Sequence, residues 1–350
     1  RFELAVEAAI PDEQGNDSPR RHSRCFRYEL AVGIDPETTT ISILAETGLL
    51  KNRNEESQDR QLDLFPAPRK APESIITSLK KKPKGVQTVF SKRPNQDDNY
   101  YPEKRGQSGG GGWVPAFKLG PRRSTLANLP EDETRFPAAT WFKNMMSEGV
   151  QQLILNSLLI RKASPPGQAR EFKSDGSNLP WMIHALQQKA PERFHDWIAH
   201  LQQALPDLQG IRTVVRDEDR HRYLQLEHRQ GFDVPSWMSS DGTLRLLALT
   251  LPAYLTEFSG VYLIEEPENG IHPRAVETMF QSLSSAYNAQ ILMATHSPVI
   301  LSSVKPEDVL CFAKSDDGAT DIVPGNRHPR LKDWKGEETL GVLFAGGVLG

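Results

Sequence analysis

The sequence predicts an α/β protein in which an antiparallel β lobe and a helical subdomain lead into a mostly parallel sheet. Three observations predict it. The first fifty residues contain runs that alternate apolar and polar side chains, as half-buried antiparallel strands do. From about Phe136, apolar residues recur at spacings of three and four, the period of a helix. In the last third, the short runs Val261–Ile264 and Gln290–Ala294 each end in a polar cluster, the pattern of buried strands joined by helices.

The elements follow in order. Arg1–Glu7 alternates with a period of two, and Phe26, Tyr28, Leu30 and Val32 do the same after a polar loop from Pro11 to Arg24. Thr39–Leu44 is rich in β-branched residues. From Leu50 to about Arg135 the chain is rich in Pro, Gly, Lys and Asn, which predicts surface loops. Trp181, Ile183, Ala185 and Leu186, then Phe194, Trp197, Ile198 and Leu201, mark helices whose aromatic residues are core, and Ser177-Asn178 is a plausible cap. Ile211–Glu227 reads as a strand pair turning at Asp217–Asp219. The expected divisions are residues 1–135, 136–235 and 236–350.

Composition excludes several classes. The 350 residues are 37% hydrophobic and 25% charged, enough for a core. Mean hydropathy is −0.52, and no apolar run approaches the ~18 residues of a membrane span. Forty-five acidic and 42 basic residues leave a net charge of −3, so a nucleic acid would have to meet a local basic patch. Lys80–Lys84 could supply one, although such a run is often only a solvated face. The two cysteines, Cys25 and Cys311, form neither a metal spacing nor a disulfide framework, which points to a reducing, cytoplasmic setting. The chain opens without Met and within a strand-like run, so it is expected to start late.

Chemistry concentrates between Pro235 and Val299. Ser239-Ser240-Asp241-Gly242-Thr243 precedes the apolar run Leu244–Leu249; it is a capped helix start whose free N–H groups suit phosphate, as do those of many capped helices. Glu265 and Glu266 close the run Val261–Ile264, and Pro267 stops it. One carboxylate there could hold Mg²⁺ through water while its neighbour activates a nucleophilic water. Alternatively, the acidic residues complement the dipole of a helix starting near Pro273. Thr295-His296-Ser297-Pro298 closes the second run, and an imidazole at a strand end can bond a γ-phosphate or an attacking water.

MSSDGTLRLLAL, VYLIEEPENGIHP and ILMATHSPVIL, in that order, resemble the signature loop, the Walker B segment with its D-loop, and the switch histidine of the ABC-type ATPases. The RecF/SMC-like branch, including AAA-family ATPases related to the OLD and RecF groups, is the one they resemble most. The likeness is specific over about residues 235–305; Asp175–Pro180 and Gly336–Gly350 also fit. It implies an ABC/RecF-like P-loop NTPase head that binds ATP and Mg²⁺. Ser239, Ser240 and Gly242 would contact the γ-phosphate of a nucleotide held mainly by a second copy. Glu265 would occupy the metal position and Glu266 would be the catalytic carboxylate. Asn269, Gly270 and His272 would form the D-loop at the dimer seam, and His296 would sense the γ-phosphate.

The sequence departs from that pattern in two respects. Many ABC enzymes carry Asp where Glu265 stands. No GxxxxGK[ST] occurs in the 350 residues, and Gly106–Gly112 lacks the Lys-Ser/Thr that would make it one. In the family that loop precedes the antiparallel lobe, which agrees with a late start. The expected function is therefore an ATP-hydrolysing subunit whose nucleotide-sandwich dimer drives a DNA-repair or phage-defence type complex. Asp316-Asp317 stands without other acidic clusters, which argues against a fused metal-dependent nuclease, and the resemblance implies a separate effector or nuclease instead. The competing reading is a non-hydrolysing, ABC-like scaffold.

Overall fold

A computed structural model describes residues 1–11, 24–35, 39–52, 74–78, 83, 85–103, 116–168, 171–255, 260–287, 289–314, 318, 320–331 and 339–347. Chain contacts divide it into two compact units, Arg1–Glu148 and Gly149–Gly350. The readings made on Lys80–Lys82, Lys84, Gly106–Gly112, Asp316-Asp317, most of Pro11–Arg24 and the two ends of Gly336–Gly350 lie outside the described residues.

The first unit is a six-stranded antiparallel sheet of β1 (Phe2–Ala9), β2 (Arg24–Ile34), β3 (Ile41–Asn52), β4 (Val86–Lys92), β5 (Asp98–Tyr100) and β6 (Ala116–Phe117), paired in chain order. Helix α1 (Pro137–Glu148) completes the unit. Three strands therefore interrupt the stretch from Leu50 to Arg135 that composition predicts as loops. Val89, Phe90 and Tyr100 from it are fully buried with Phe26, Phe136 and Phe142. The local run Val86–Phe90 is too short to outweigh the surrounding Lys and Pro in a composition window, whereas burial of its aromatic ring in the sheet favours a strand.

Two buried carboxylates in this unit, Glu46 and Asp98, are paired. The Glu46 carboxylate accepts from Tyr28 Oη at 3.0 Å, Ser124 Oγ at 2.6 Å and the N–H groups of Thr125 and Leu126 at 2.7 and 3.0 Å. Lys92 Nζ meets Asp98 at 2.7 Å, and Asp98 also accepts from Thr125 Oγ1 and Leu119 N–H. Such satisfied networks specify the loop they hold, because breaking any member strands a buried group.

The second unit begins with β7 (Val150–Leu153) and α2 (Ser157–Ile160), followed by α3 (Leu179–Lys189) and α4 (Pro191–Ala204). An antiparallel trio, β8 (Leu208–Val215), β9 (Arg222–His228) and β10 (Asp233–Pro235), comes next, and β8 and β9 turn at Asp217–Asp219 as expected. Then α5 (Asp241–Thr250), β11 (Gly260–Glu265), α6 (Pro273–Ser284), β12 (Ala289–Ala294) and α7 (Pro298–Leu301) alternate. The antiparallel pair β13 (Leu310–Lys314) and β14 (Thr320–Pro324) and helix α8 (Leu340–Ala345) follow. One parallel sheet, in the order β12-β11-β7, anchors the unit. Tyr262 and Ile264 on β11 pack with Trp197, Leu201, Leu247 and Met279 from the helices.

β7 corrects the helical reading of residues 136–208. Val-Gln-Gln-Leu has no strand signature of its own; pairing with β11 makes it one, which is a non-local effect. The cap expected at Ser177-Asn178 is also different. Asn178 stands at the start of α3 without bonding the helix through its side chain. It accepts instead from Lys173 N–H at 3.0 Å and donates to the carbonyls of Gln168 and Glu171 at 2.8 and 2.6 Å, folding the preceding loop onto the helix.

Candidate functional site

The site is built at the C-terminal edge of the parallel sheet. β11 forms because Val261–Ile264 is apolar throughout and pairs on both sides, with Tyr262 and Ile264 buried and Val261 and Leu263 half-buried. Burial pushes the Tyr262 phenol above the ordinary tyrosine range, so it serves as neutral core packing. Glu265 pairs with Ala294, the last residue of β12, so the residues following both strands emerge side by side. Open α/β sheets place ligands at such an edge.

Glu266 follows with a φ of 42°, in the left-handed region that a side chain with a Cβ avoids. Holding a non-glycine residue there costs on the order of 1–3 kcal/mol, a strain that concentrates at functional sites. The surrounding bonds enforce it: Glu266 N–H donates to the Ala294 carbonyl at 2.8 Å, and its own carbonyl accepts from Asn269 N–H at 3.0 Å. Glu266 Oε2 accepts from Asn269 Nδ2, and Oε1 lies 3.9 Å from His296 Nε2. The His296 side chain is 78% exposed and that of Glu266 47%, so a ligand can reach both. At that exposure the pair adds little to stability.

The rest of the acidic segment joins the loops. Glu268 Oε1 accepts from Thr295 Oγ1 at 2.7 Å and from His296 N–H at 3.1 Å. Ile271 N–H closes the turn on the Glu268 carbonyl at 3.1 Å. His272 caps α6, its Nδ1 accepting from Arg274 N–H at 3.2 Å, with Pro273 at the first helical position.

The capped turn before α5 lies against this segment. Ser240 is the N-cap, accepting from Thr243 N–H at 3.1 Å, and its exposed side chain faces outward with Thr243 Oγ1 at 2.8 Å. Ser239 is buried and turns its hydroxyl back to the Pro235 carbonyl at 3.4 Å. Arg161 braces the turn, bonding the Trp237 carbonyl at 3.1 Å and the Asp241 carboxylate, while Ser236 Oγ returns a bond to the Arg161 carbonyl at 3.0 Å. Gly242 is where the two segments touch. A Cβ there would sit 2.6 Å from the Gly270 carbonyl oxygen and 3.7 Å from Ile271 Cα.

That contact gives a prediction whose sign is informative. In a free helix, alanine is favoured over glycine by roughly 1 kcal/mol. Gly242→Ala is nevertheless expected to destabilise by about 1–3 kcal/mol, because the obstacle is backbone and the two turns must separate. Urea unfolding measures it, and a variant as stable as the parent or more so would contradict the packing.

A divalent cation fits only in a particular way. The Glu265 carboxylate is exposed and makes no hydrogen bond or ion pair among the described residues. No group of three or more His, Cys, Asp or Glu that could hold a metal occurs among the described residues. Mg²⁺ suits such a place, since it is held by one or two carboxylates with the remaining positions taken by phosphates and water.

The structure thus brings Glu265, Glu266, Asn269 and His296 to one edge, and Gly242 against Gly270. Ser239 is turned inward and His272 serves a helix start. Sequence reasoning assigned no role to Glu268, Thr295 or Arg161. The first two carried a signal, a third carboxylate in Glu-Glu-Pro-Glu and a hydroxyl beside the histidine. Arg161 carried none, because its partner is eighty positions away in sequence.

Residues 118–302 match the family model of the AAA domain described as a putative AbiEii toxin, type IV toxin–antitoxin system. A probable ATPase of retron Vc95 from Vibrio cholerae serotype O1 biovar El Tor is 25% identical over 127 residues, covering 31% of this chain and 25% of that protein. The chain spans about a quarter of the length of this curated relative. Among solved structures, an SMC head bound to the C-terminal winged-helix domain of ScpA aligns at 11% identity with a TM-score of 0.40, over 86% of this chain and 73% of that one. The SMC head domain from Thermotoga maritima aligns at 10% identity with a TM-score of 0.34, over 86% and 74%. The family match takes in more than half of the 350 residues and all three segments of the site, and the chain belongs to this AAA domain family.

Proposed function

We propose that this chain carries the acidic and imidazole half of an ATP-hydrolysing site, in the manner of the RecF- and OLD-related ATPases, and offers its capped turn to nucleotide held by a second copy. The observation that carries the reading is the 3.9 Å approach of Glu266 Oε1 to His296 Nε2 at one sheet edge, with Glu266 held in a strained backbone. At that spacing the two groups are too far apart to bond each other closely, and both can face a water or phosphate oxygen lying beside them. Glu266 orients the attacking water and takes its proton. His296 donates toward the γ-phosphate oxygen on which charge develops. Asn269 holds the Glu266 carboxylate in place, and Glu265 is free to meet the metal. Bound with the nucleotide, Mg²⁺ would neutralise charge on the phosphates.

In this reading, Ser240 and the N–H groups at the start of α5 meet the γ-phosphate of the nucleotide bound across a two-fold axis, and Ser239 supports the turn from inside. Asn269, Gly270 and His272 lie at the seam. A P-loop completes each site, and closure and reopening around ATP work a separate effector. A family described by a toxin–antitoxin system and a relative named as a retron's ATPase support a defence complex over a repair complex. Helices long and apolar enough to cross a membrane are absent among the described residues.

The test separates composite sites from sites within one chain. Ser240→Arg and His296→Ala are each made in the full-length protein, where each is expected to abolish ATP turnover. Mixed one to one, they form heterodimers with one doubly damaged and one intact site, so about a quarter of the parental rate should return. Phosphate release measures it. No recovery in a mixture shown to exchange subunits would defeat the composite site, full activity of both single variants would remove Ser240 and His296 from it, and absence of turnover in the parent would favour a scaffold.

A further inference from the structure

We propose that Glu268 is a positioning residue, which sets the main chain of the histidine loop and thereby holds the His296 ring within reach of Glu266. The inference rests on the ATPase reading above. His296 has little side-chain support: its ring is 78% exposed, and its aromatic neighbour, Phe344, lies 6.4 Å away between centroids. The position of that ring is therefore decided by the backbone from which it springs. That backbone is tied to one carboxylate oxygen. Glu268 Oε1 accepts from His296 N–H at 3.1 Å and from Thr295 Oγ1 at 2.7 Å, and Thr295 Oγ1 accepts in turn from Ser297 N–H at 3.0 Å. Three consecutive residues of the loop are thus fixed by a side chain two positions beyond Glu266. The acidic segment and the histidine segment then move together.

The second oxygen separates this role from simple packing. Glu268 Oε2 is buried and makes no hydrogen bond among the described residues. A carboxylate retained where half of it is unpaired is present for what the other half does. The turn does not need the side chain, since Ile271 N–H bonds the Glu268 carbonyl, which any residue provides. Glutamine can keep both acceptor bonds through its amide oxygen, whereas alanine keeps neither.

The experiment uses the full-length protein with ATP and Mg²⁺. Glu268→Ala is expected to lower kcat by about 10–100-fold with KM changed less than about threefold, the mark of a displaced reacting group. Glu268→Gln should restore kcat to within about threefold of the parent. Thr295→Val, which removes the hydroxyl and keeps the volume, should lower kcat in the same direction and serves if the alanine variant does not fold. The His296 imidazole resonances, assigned with His296→Gln, should shift in the alanine variant and return in the glutamine one. An unchanged kcat and unchanged resonances in Glu268→Ala, or a glutamine variant no better than alanine, would overturn the proposal. Absence of turnover in the parent would instead refute the ATPase reading, and the resonances would still decide whether Glu268 sets the histidine.

Discussion

Glutamine in place of Glu266 is expected to slow ATP turnover of the full-length protein by roughly 10²–10⁴-fold, the range that a positioned general base supplies. The substitution is conservative where it needs to be. Glutamine has the same stem and meets the same φ of 42°, so the strain in the loop is retained. Its amide oxygen can still accept from Asn269 Nδ2. Only the ability to take a proton is removed. Binding of ATP should therefore persist while cleavage stops, and the closed form should accumulate. Single-turnover phosphate release measures the chemistry, and light scattering with and without ATP measures the closed form. A turnover rate within about threefold of the parent would show that Glu266 is no general base, whatever its neighbours.

Gly260→Ala is expected to cost about 2–5 kcal/mol, the largest stability effect of a single methyl group in the second unit. Two causes add. Gly260 has a φ of 141°, a conformation L side chains rarely adopt, and a Cβ there would lie 2.0 Å from the Gly149 carbonyl oxygen. The obstacle cannot swing away, because that same carbonyl accepts from Val261 N–H at 2.6 Å and so helps to start β11. Against this stands a gain of about 0.4–1 kcal/mol from a stiffer unfolded chain, which is too small to reverse the sign. Urea unfolding of parent and variant decides it, and a loss under about 0.5 kcal/mol would contradict the close approach. Since β11 carries Glu265 and Glu266 at its far end, a folded variant should also lose turnover through displacement of the acidic loop.

The two predictions differ in how far the sequence anticipates them. Glu266 is legible because its neighbours in the chain announce it: four apolar residues, two carboxylates and a proline describe a strand end without reference to anything else. The capped turn at Ser240 and the strand before His296 are legible for the same reason. A cap, a β-branched run and a helical stripe are local interactions, and their partners lie within a few residues. Gly260 announces nothing. Its importance comes from Gly149, more than a hundred positions earlier, and only packing brings the two together.

The amino-acid order by itself determined the class of fold, the alternation of α5, β11, α6 and β12, and the placing of carboxylates and an imidazole at strand ends. Each of these follows from short-range sterics, apolar periodicity and hydrogen bonding within one segment. Tertiary structure alone decided that Val150–Leu153 is a strand, that Asn178 holds a loop rather than a helix end, and that Glu268 reaches Thr295 and His296. It also decided that Arg161 braces the turn before α5 and that Gly242 must lack a side chain. Those outcomes depend on pairs distant in sequence, whose attraction is short-ranged in space. Neither partner's local composition records the other, and the contact exists only once the sheet has brought both to the same edge.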